Sequence, residues 1–155
     1  MTARDVAAWL GAAIGVLALG WEVIRWRRDR PRLEITARAN MPVVPEALGR
    51  PILGIWVTNT GTAPATITML IAMEFSTWNR RARFRPARTW HLAIDPELGP
   101  PLPCELLPGQ QWIGGVRQNP EINRLVAKGS LYVGVYRAGL HGRPTLAQVK
   151  SSAEE

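Results

Sequence analysis

Two regimes of hydrophobic patterning divide the chain. From Val6 to Ile24 it reads VAAWLGAAIGVLALGWEVI, nineteen residues whose one charge, Glu22, lies near the end. As a helix this run spans about 28 Å, close to the roughly 30 Å hydrocarbon core of a bilayer, so the pattern predicts a transmembrane helix over 6–24. A signal peptide cut near Ala18-Leu19-Gly20 is the rival reading. Charge opposes it: Arg4 ahead of the run is offset by Asp5, whereas Arg25, Arg27, Arg28, Arg30 and Arg32 follow it. Basic residues after an apolar segment resist translocation, which predicts an outside N-terminus and a cytosolic domain in a bacterial inner membrane. Trp9, Trp21 and Trp26 suit the interfaces. Gly11 and Gly15, with Ala7 before them, form a strip of small residues on which two helices can approach, a candidate contact between copies.

After Pro31 the period shortens to two. Leu33, Ile35 and Ala37 alternate with Arg32, Glu34, Thr36 and Arg38, as in a strand with one wet face. Further strands are predicted over Ile52–Thr58 and over Ala65–Phe75, where Ile67, Met69, Ile71, Met73 and Phe75 line one face. Asn59-Thr60-Gly61-Thr62-Ala63-Pro64 connects them with turn formers at its key places. Leu107-Pro108-Gly109-Gln110 turns into a strand over Gln111–Val116. Asn119, Pro120 and Gly129 read as the cap, first position and terminator of a short helix ending near Ala127. Ser130–Arg137 and Pro144–Val149 pair as a closing hairpin. About seven short strands and one helix predict an all-β, two-sheet sandwich, which the resemblance given below makes immunoglobulin-like. The chain then divides into a tail (1–5), the helix (6–24), a basic juxtamembrane linker (25–31), the sandwich (32–150) with a Pro- and Arg-rich insert at 78–103, and a frayed tail (151–155).

Composition changes this picture only at the margins. One domain of ordinary size fits 155 residues, and 13 Pro with 14 Gly agree with many turns. The net charge of +7 invites an anionic partner, yet it is almost all arginine, with Lys128 and Lys150 the only lysines, as a GC-rich genome also produces. Cys104 stands alone, which excludes an internal disulfide and favours a reducing compartment.

The run WVTNTGTAPATIT, followed by LLPGQ and a YVGVY strand, resembles bacterial immunoglobulin-like sandwiches of the adhesion-related, CARDB-like type. With the N-terminal helix and the junction RDRPRLEI, the chain is also similar to a broad group of small uncharacterised bacterial and phage-encoded membrane proteins. The resemblance implies a fold and a topology but carries over no catalytic residue.

No catalytic constellation stands out. His91 and His141 lie fifty residues apart, outside any metal-binding spacing, and Gly114-Gly115 lacks the Lys-Ser/Thr and helix start of a phosphate loop. Cys104 reads as small buried filler in a loop, and neither a cofactor nor an enzymatic activity is expected. Two basic clusters remain. Arg25, Trp26, Arg27, Arg28, Arg30 and Arg32 read as a membrane flank and hinge. Arg80, Arg81, Arg83, Arg85 and Arg88, flanked by Trp78 and Trp90, read as an edge strand with Arg81, Arg83 and Arg85 on one face. Such an edge blocks aggregation or holds an anion or a partner. The function expected is a membrane-anchored, non-catalytic interaction module that binds a protein partner or itself. Alternatives are an exported envelope or adhesion module of opposite topology, and an anionic-lipid or nucleic-acid binder at Arg80–Arg88, with nucleic acid disfavoured.

Overall fold

The computed structural model describes residues 3–42, 51–139 and 142–151, with the side chains of 3–8 and 26–28 set aside. His141, the tail residues 152–155, and the side chains of Trp26, Arg27 and Arg28 therefore lie outside the described set. Helix α1 (Ala3–Arg28) leads into β1 (Leu33–Met41), β2 (Ile52–Asn59) and β3 (Ala65–Glu74). Helix α2 (Trp78–Ala82), β4 (Arg88–His91) and β5 (Cys104–Leu106) follow. The chain closes with β6 (Gln111–Arg117), α3 (Pro120–Ala127), β7 (Leu131–Arg137) and β8 (Thr145–Ser151).

The strands form one eight-stranded sheet in the order β4-β3-β7-β8-β1-β2-β6, with β5 also on β3. This corrects the expected sandwich. The two halves are continuous because β8 pairs antiparallel with β7 and parallel with β1, through Ala37↔Val149, Arg38↔Lys150 and Ala39↔Ser151. A strand shared by both halves curls the sheet into a half-barrel, where a sandwich would keep two separate layers. Its concave face holds Leu53, Ile55, Val57, Ile67, Leu70, Trp112, Leu131, Val133 and Val135. Helix α3 closes one end with Ile122 and Leu125, and its cap is as expected: the Asn119 Oδ1 accepts from the Ile122 N–H at 2.8 Å. It ends in a Schellman motif at Gly129 (φ +62°), whose N–H meets the Val126 carbonyl while that of Ser130 meets Leu125.

Strand β3 departs from its simple alternation. Its register against β7 shifts between Ile67 and Met69, so Ile67 joins the main core with Leu70 and Ala72. Met69, Ile71, Met73 and Phe75 pack on the convex face with Tyr132 and Phe84. A bulge of this kind reverses which residues face inward. Both faces of β3 are consequently covered.

The expected bilayer-spanning helix is also corrected. Among the described residues no helix is long and apolar enough to cross a membrane. The single-pass topology falls with it. The junction behind α1 is docked rather than hinged: the carbonyls of Arg30 and Arg32 accept from Thr62 and Thr60, and Arg137 Nη1 donates to the Pro31 carbonyl at 2.7 Å. Arg25 pairs with Asp29 one turn on, at 3.7 Å.

The long insert is built on two unforeseen strands and a strap. Cys104, expected in a loop, opens β5 and is half-exposed. The strap covers the β6 edge: the Asp95 N–H donates to the Gly115 carbonyl at 3.2 Å, and Arg117 donates to both Asp95 and Glu97. The Glu97 backbone N–H and then Arg117 hold the Asp95 carboxyl below its usual range, against partial burial. A carboxyl depressed in the fold stabilises it above the unfolded pKa, and that contribution is lost as pH falls through the folded value. Acidification from about pH 5 towards about pH 2 should therefore free the Arg117 Nε–H, read as its faster solvent exchange by NMR.

Candidate functional site: an arginine cleft on α2

The second basic cluster is not one edge strand: Arg80–Arg85 lie on α2 and the turn after it, and only Arg88 stands on an edge strand, β4. Thr77 caps α2 by accepting from the Arg80 N–H, and the helix lasts one turn before a Schellman ending. The Phe84 N–H meets the Arg81 carbonyl at 2.9 Å and the Arg85 N–H meets that of Arg80 at 2.8 Å. This motif needs a left-handed residue in the place where glycine usually stands, and here it is Phe84, at φ +51°. A bulky residue there costs on the order of 1 kcal/mol or more. Its ring offsets that cost by packing 6.2 Å from Phe75, in the convex cluster with Tyr132, under the Arg143 guanidinium at 5.2 Å. The sequence folds a charged segment onto the sheet by one aromatic anchor.

The consequence is a division of labour among the arginines. Arg81 lies over the Tyr132 ring at 4.8 Å, and Arg88 pairs with Glu121 of α3 at 3.0 Å. Arg80, Arg83 and Arg85 converge with Asn79 and Pro86 on a cleft of about 330 Å³. Among the described residues no carboxylate lines it. The backward turn at Phe84 brings Arg85 over Arg80, while Arg83 sits at the helix end between them. Trp78, 75% exposed, stands at the start of the same turn, whereas Trp90 is half-buried against the core. The structure thus assembles three of the expected arginines, assigns Arg81 and Arg88 to folding contacts, and separates the two tryptophans. Sequence reading missed Phe84 as organiser and Asn79 as a lining group; the Thr77-to-Phe84 spacing of cap and anchor was the available signal.

Replacing Phe84 by Gly keeps the left-handed backbone and removes the anchor. That change should cost about 2 kcal/mol, roughly half the loss for a fully buried Phe, and lower the thermal midpoint by several degrees.

No protein-family model matches the chain, and no curated protein matches it. Among solved structures, an inactive D437A mutant of a GH20 exo-β-N-acetylglucosaminidase from Vibrio harveyi is similar to it at a TM-score of 0.32 and 12% identity. The likeness covers 77% of this chain and only 18% of that one, and it says nothing of activity.

The other expected site residues are dispersed. Gly11 and Gly15 lie on α1, where an added Cβ would meet nothing within 4 Å, and Arg25, Arg30 and Arg32 line the docked junction. His91 is exposed on β4. Among the described residues, no group of three or more His, Cys, Asp or Glu side chains is placed to hold a metal.

Proposed function

We propose that the chain is a non-catalytic interaction module that docks a phosphate-type anionic group in the Arg80–Arg83–Arg85 cleft. The supporting observation is a single cleft lined by three arginines whose neighbours Arg81 and Arg88 are engaged elsewhere. Guanidinium forks match the geometry of phosphate oxygens, and each charge-assisted bond contributes about 1.5–3 kcal/mol. Removing one arginine should therefore weaken binding about tenfold or more. The triple change Arg80→Gln, Arg83→Gln, Arg85→Gln should abolish binding of pyrophosphate in calorimetric titration, while Arg81→Gln with Arg88→Gln should leave it near the wild type. Equal losses from the two variants, or no pyrophosphate binding at all, sink the proposal. Parallel titrations with a single-stranded oligonucleotide and with vesicles containing anionic lipid identify the source of the phosphate. For the oligonucleotide, three contacts imply a log–log salt slope of about −2.

A second reading rests on α1. Trp9, Leu10, Ile14, Val16, Leu17, Leu19, Trp21, Val23 and Ile24 are each more than 50% exposed, a large apolar surface for one helix. Self-association through Gly11 and Gly15 would bury the part of it that flanks those glycines. Gly15→Ile should then shift the full chain to a smaller species in analytical ultracentrifugation, and an unchanged sedimentation profile counts against this contact.

A further inference from the structure

Residues of α3, β1 and β8 line a groove of about 1020 Å³. Its lining includes strand residues that are paired with each other, Ala37 with Val149 and Arg38 with Lys150, so it offers a ligand side chains rather than a free strand edge. The end of α3 forms part of the wall. A helix C-terminus ordinarily opposes an anion, because its last carbonyls carry partial negative charge. Here those carbonyls are occupied. Arg124, Leu125 and Val126 accept from the N–H groups of Lys128, Ser130 and Gly129, and the Gly129 carbonyl accepts from the Gln148 Nε2 at 2.9 Å. Lys128, the C-cap residue, adds a positive charge at the same place.

The lining has two chemical characters. Ile35 and Val126 pack against the main core with part of their surface left open, and Ala147 is half-buried beside them in the lining. These are aliphatic groups. Among the described lining residues there is no aromatic ring on which a base could stack, and no carboxylate. Arg38, Lys128 and Lys150 supply the charge, and both lysines are exposed. In a chain whose other basic residues are all arginine, its two lysines come from different elements to line one groove. Aliphatic surface beside ammonium groups matches a molecule with an alkyl body and an anionic head, the body held by burial and the head by charge.

We propose that the groove between α3 and the β1–β8 pair binds a single-chain anionic amphiphile, its alkyl chain on Ile35, Val126 and Ala147 and its head group against Lys128 and Lys150. The site is separate from the arginine cleft and independent of it. The probe is decanoate, titrated into the full chain and followed by amide shifts in NMR, beside decyltrimethylammonium, which carries the opposite charge on the same chain, and acetate, which lacks the chain. Decanoate should shift the amides of Ile35, Val126, Ala147 and Lys150, and the two controls should not. Affinity should rise from hexanoate through octanoate to decanoate, as more methylene groups leave water. Lys128→Glu with Lys150→Glu should weaken decanoate binding about tenfold, and Lys150→Glu alone, at an exposed strand position that leaves α3 untouched, severalfold. The triple change Arg80→Gln, Arg83→Gln, Arg85→Gln should leave it as in the wild type, so that failure of the phosphate cleft and failure of this groove are told apart. Shifts confined to the exposed apolar surface of α1 overturn the proposal. So do equal binding of decanoate and decyltrimethylammonium, affinity independent of chain length, and affinity indifferent to Lys150→Glu.

Discussion

Asn59→Ala should destabilise the domain by about 3 kcal/mol, the largest loss expected from any single polar side chain. Asn59 is fully buried at the end of β2, and its side chain serves three backbone groups. Its Nδ2 donates to the carbonyls of Ala63 and Leu106, each at 2.9 Å, and its Oδ1 accepts from the Gly61 N–H at 3.1 Å. Its own N–H and carbonyl bond Gln110 and Gly109. One amide therefore ties the β2–β3 turn, the end of β5 and the turn before β6 together. Each buried group left without a partner costs about 1–3 kcal/mol, with water entering at the more open Gly61 to limit the sum. Chemical denaturation should show a lower midpoint with an unchanged slope.

Asn59→Asp gives a sharper version of the same experiment. The Gly61 acceptor survives, but the two carbonyls now face an oxygen. Burial beside acceptors disfavours the charged form, so the folded pKa of this carboxyl lies above its unfolded value. Stability is then greatest below the unfolded pKa, near 4, and is lost as pH rises through the folded one. The Asp variant should melt higher at about pH 4 than at about pH 7. A flat profile over that range contradicts the proposed partners.

This residue also shows what the sequence exposes and what it hides. The Asn-Thr-Gly run reads correctly as a turn because its chemistry is local: an Asx side chain reaching two residues on, and a glycine. Gly61 needs its missing Cβ because a β-carbon there would lie 2.3 Å from the Arg32 nitrogen. That Asn59 also holds Leu106, 47 residues away, is a tertiary fact without a local signature. The same division runs through the fold. Strands β1, β2, β3, β6, β7 and β8 and helix α3 follow from alternation, caps and turns, which act within a few residues. The closure does not, since pairing β8 with β1 in parallel depends on how the sheet curls. Arg81–Arg85 reads as a strand because over so short a stretch the alternation of Arg with Ala and Phe does not tell a strand from one helical turn and its end. What decides it is the long-range fit of Phe84 against Phe75 and Tyr132, which overrides the backbone preference of a bulky residue. The bulge in β3 belongs to the same class: it moves Ile67 to the opposite face without altering a letter of the pattern.

Trp112→Ala is the apolar counterpart, with an expected loss of about 3–5 kcal/mol, a large share of the roughly 5–15 kcal/mol that holds a domain of this size folded. Trp112 is 2% exposed on β6, and its ring lies across the backbone of Gly114. A Cβ at Gly114 would sit 2.1 Å from the ring atom Cη2, so the Gly114-Gly115 pair, useless as a phosphate loop, is where an indole fits against bare backbone. The indole Nε1 donates to the Pro100 carbonyl at 3.2 Å, which ties the strap to the core. Gly99 of the same strap approaches Gly114 so closely that an added Cβ would lie 2.6 Å from its Cα. Strap, ring and strand therefore form one packed stack. Trp112→Phe keeps most of the apolar burial and loses the hydrogen bond and part of the volume, which should cost about 1–2 kcal/mol. Gly114→Ala should cost more than Trp112→Phe, because overpacking displaces the ring from backbone that cannot yield. Urea denaturation of the three variants should rank them Trp112→Ala, Gly114→Ala, Trp112→Phe in order of decreasing loss. Gly114→Ala at wild-type stability would mean that the ring does not rest on Gly114, and the stacked arrangement would be wrong.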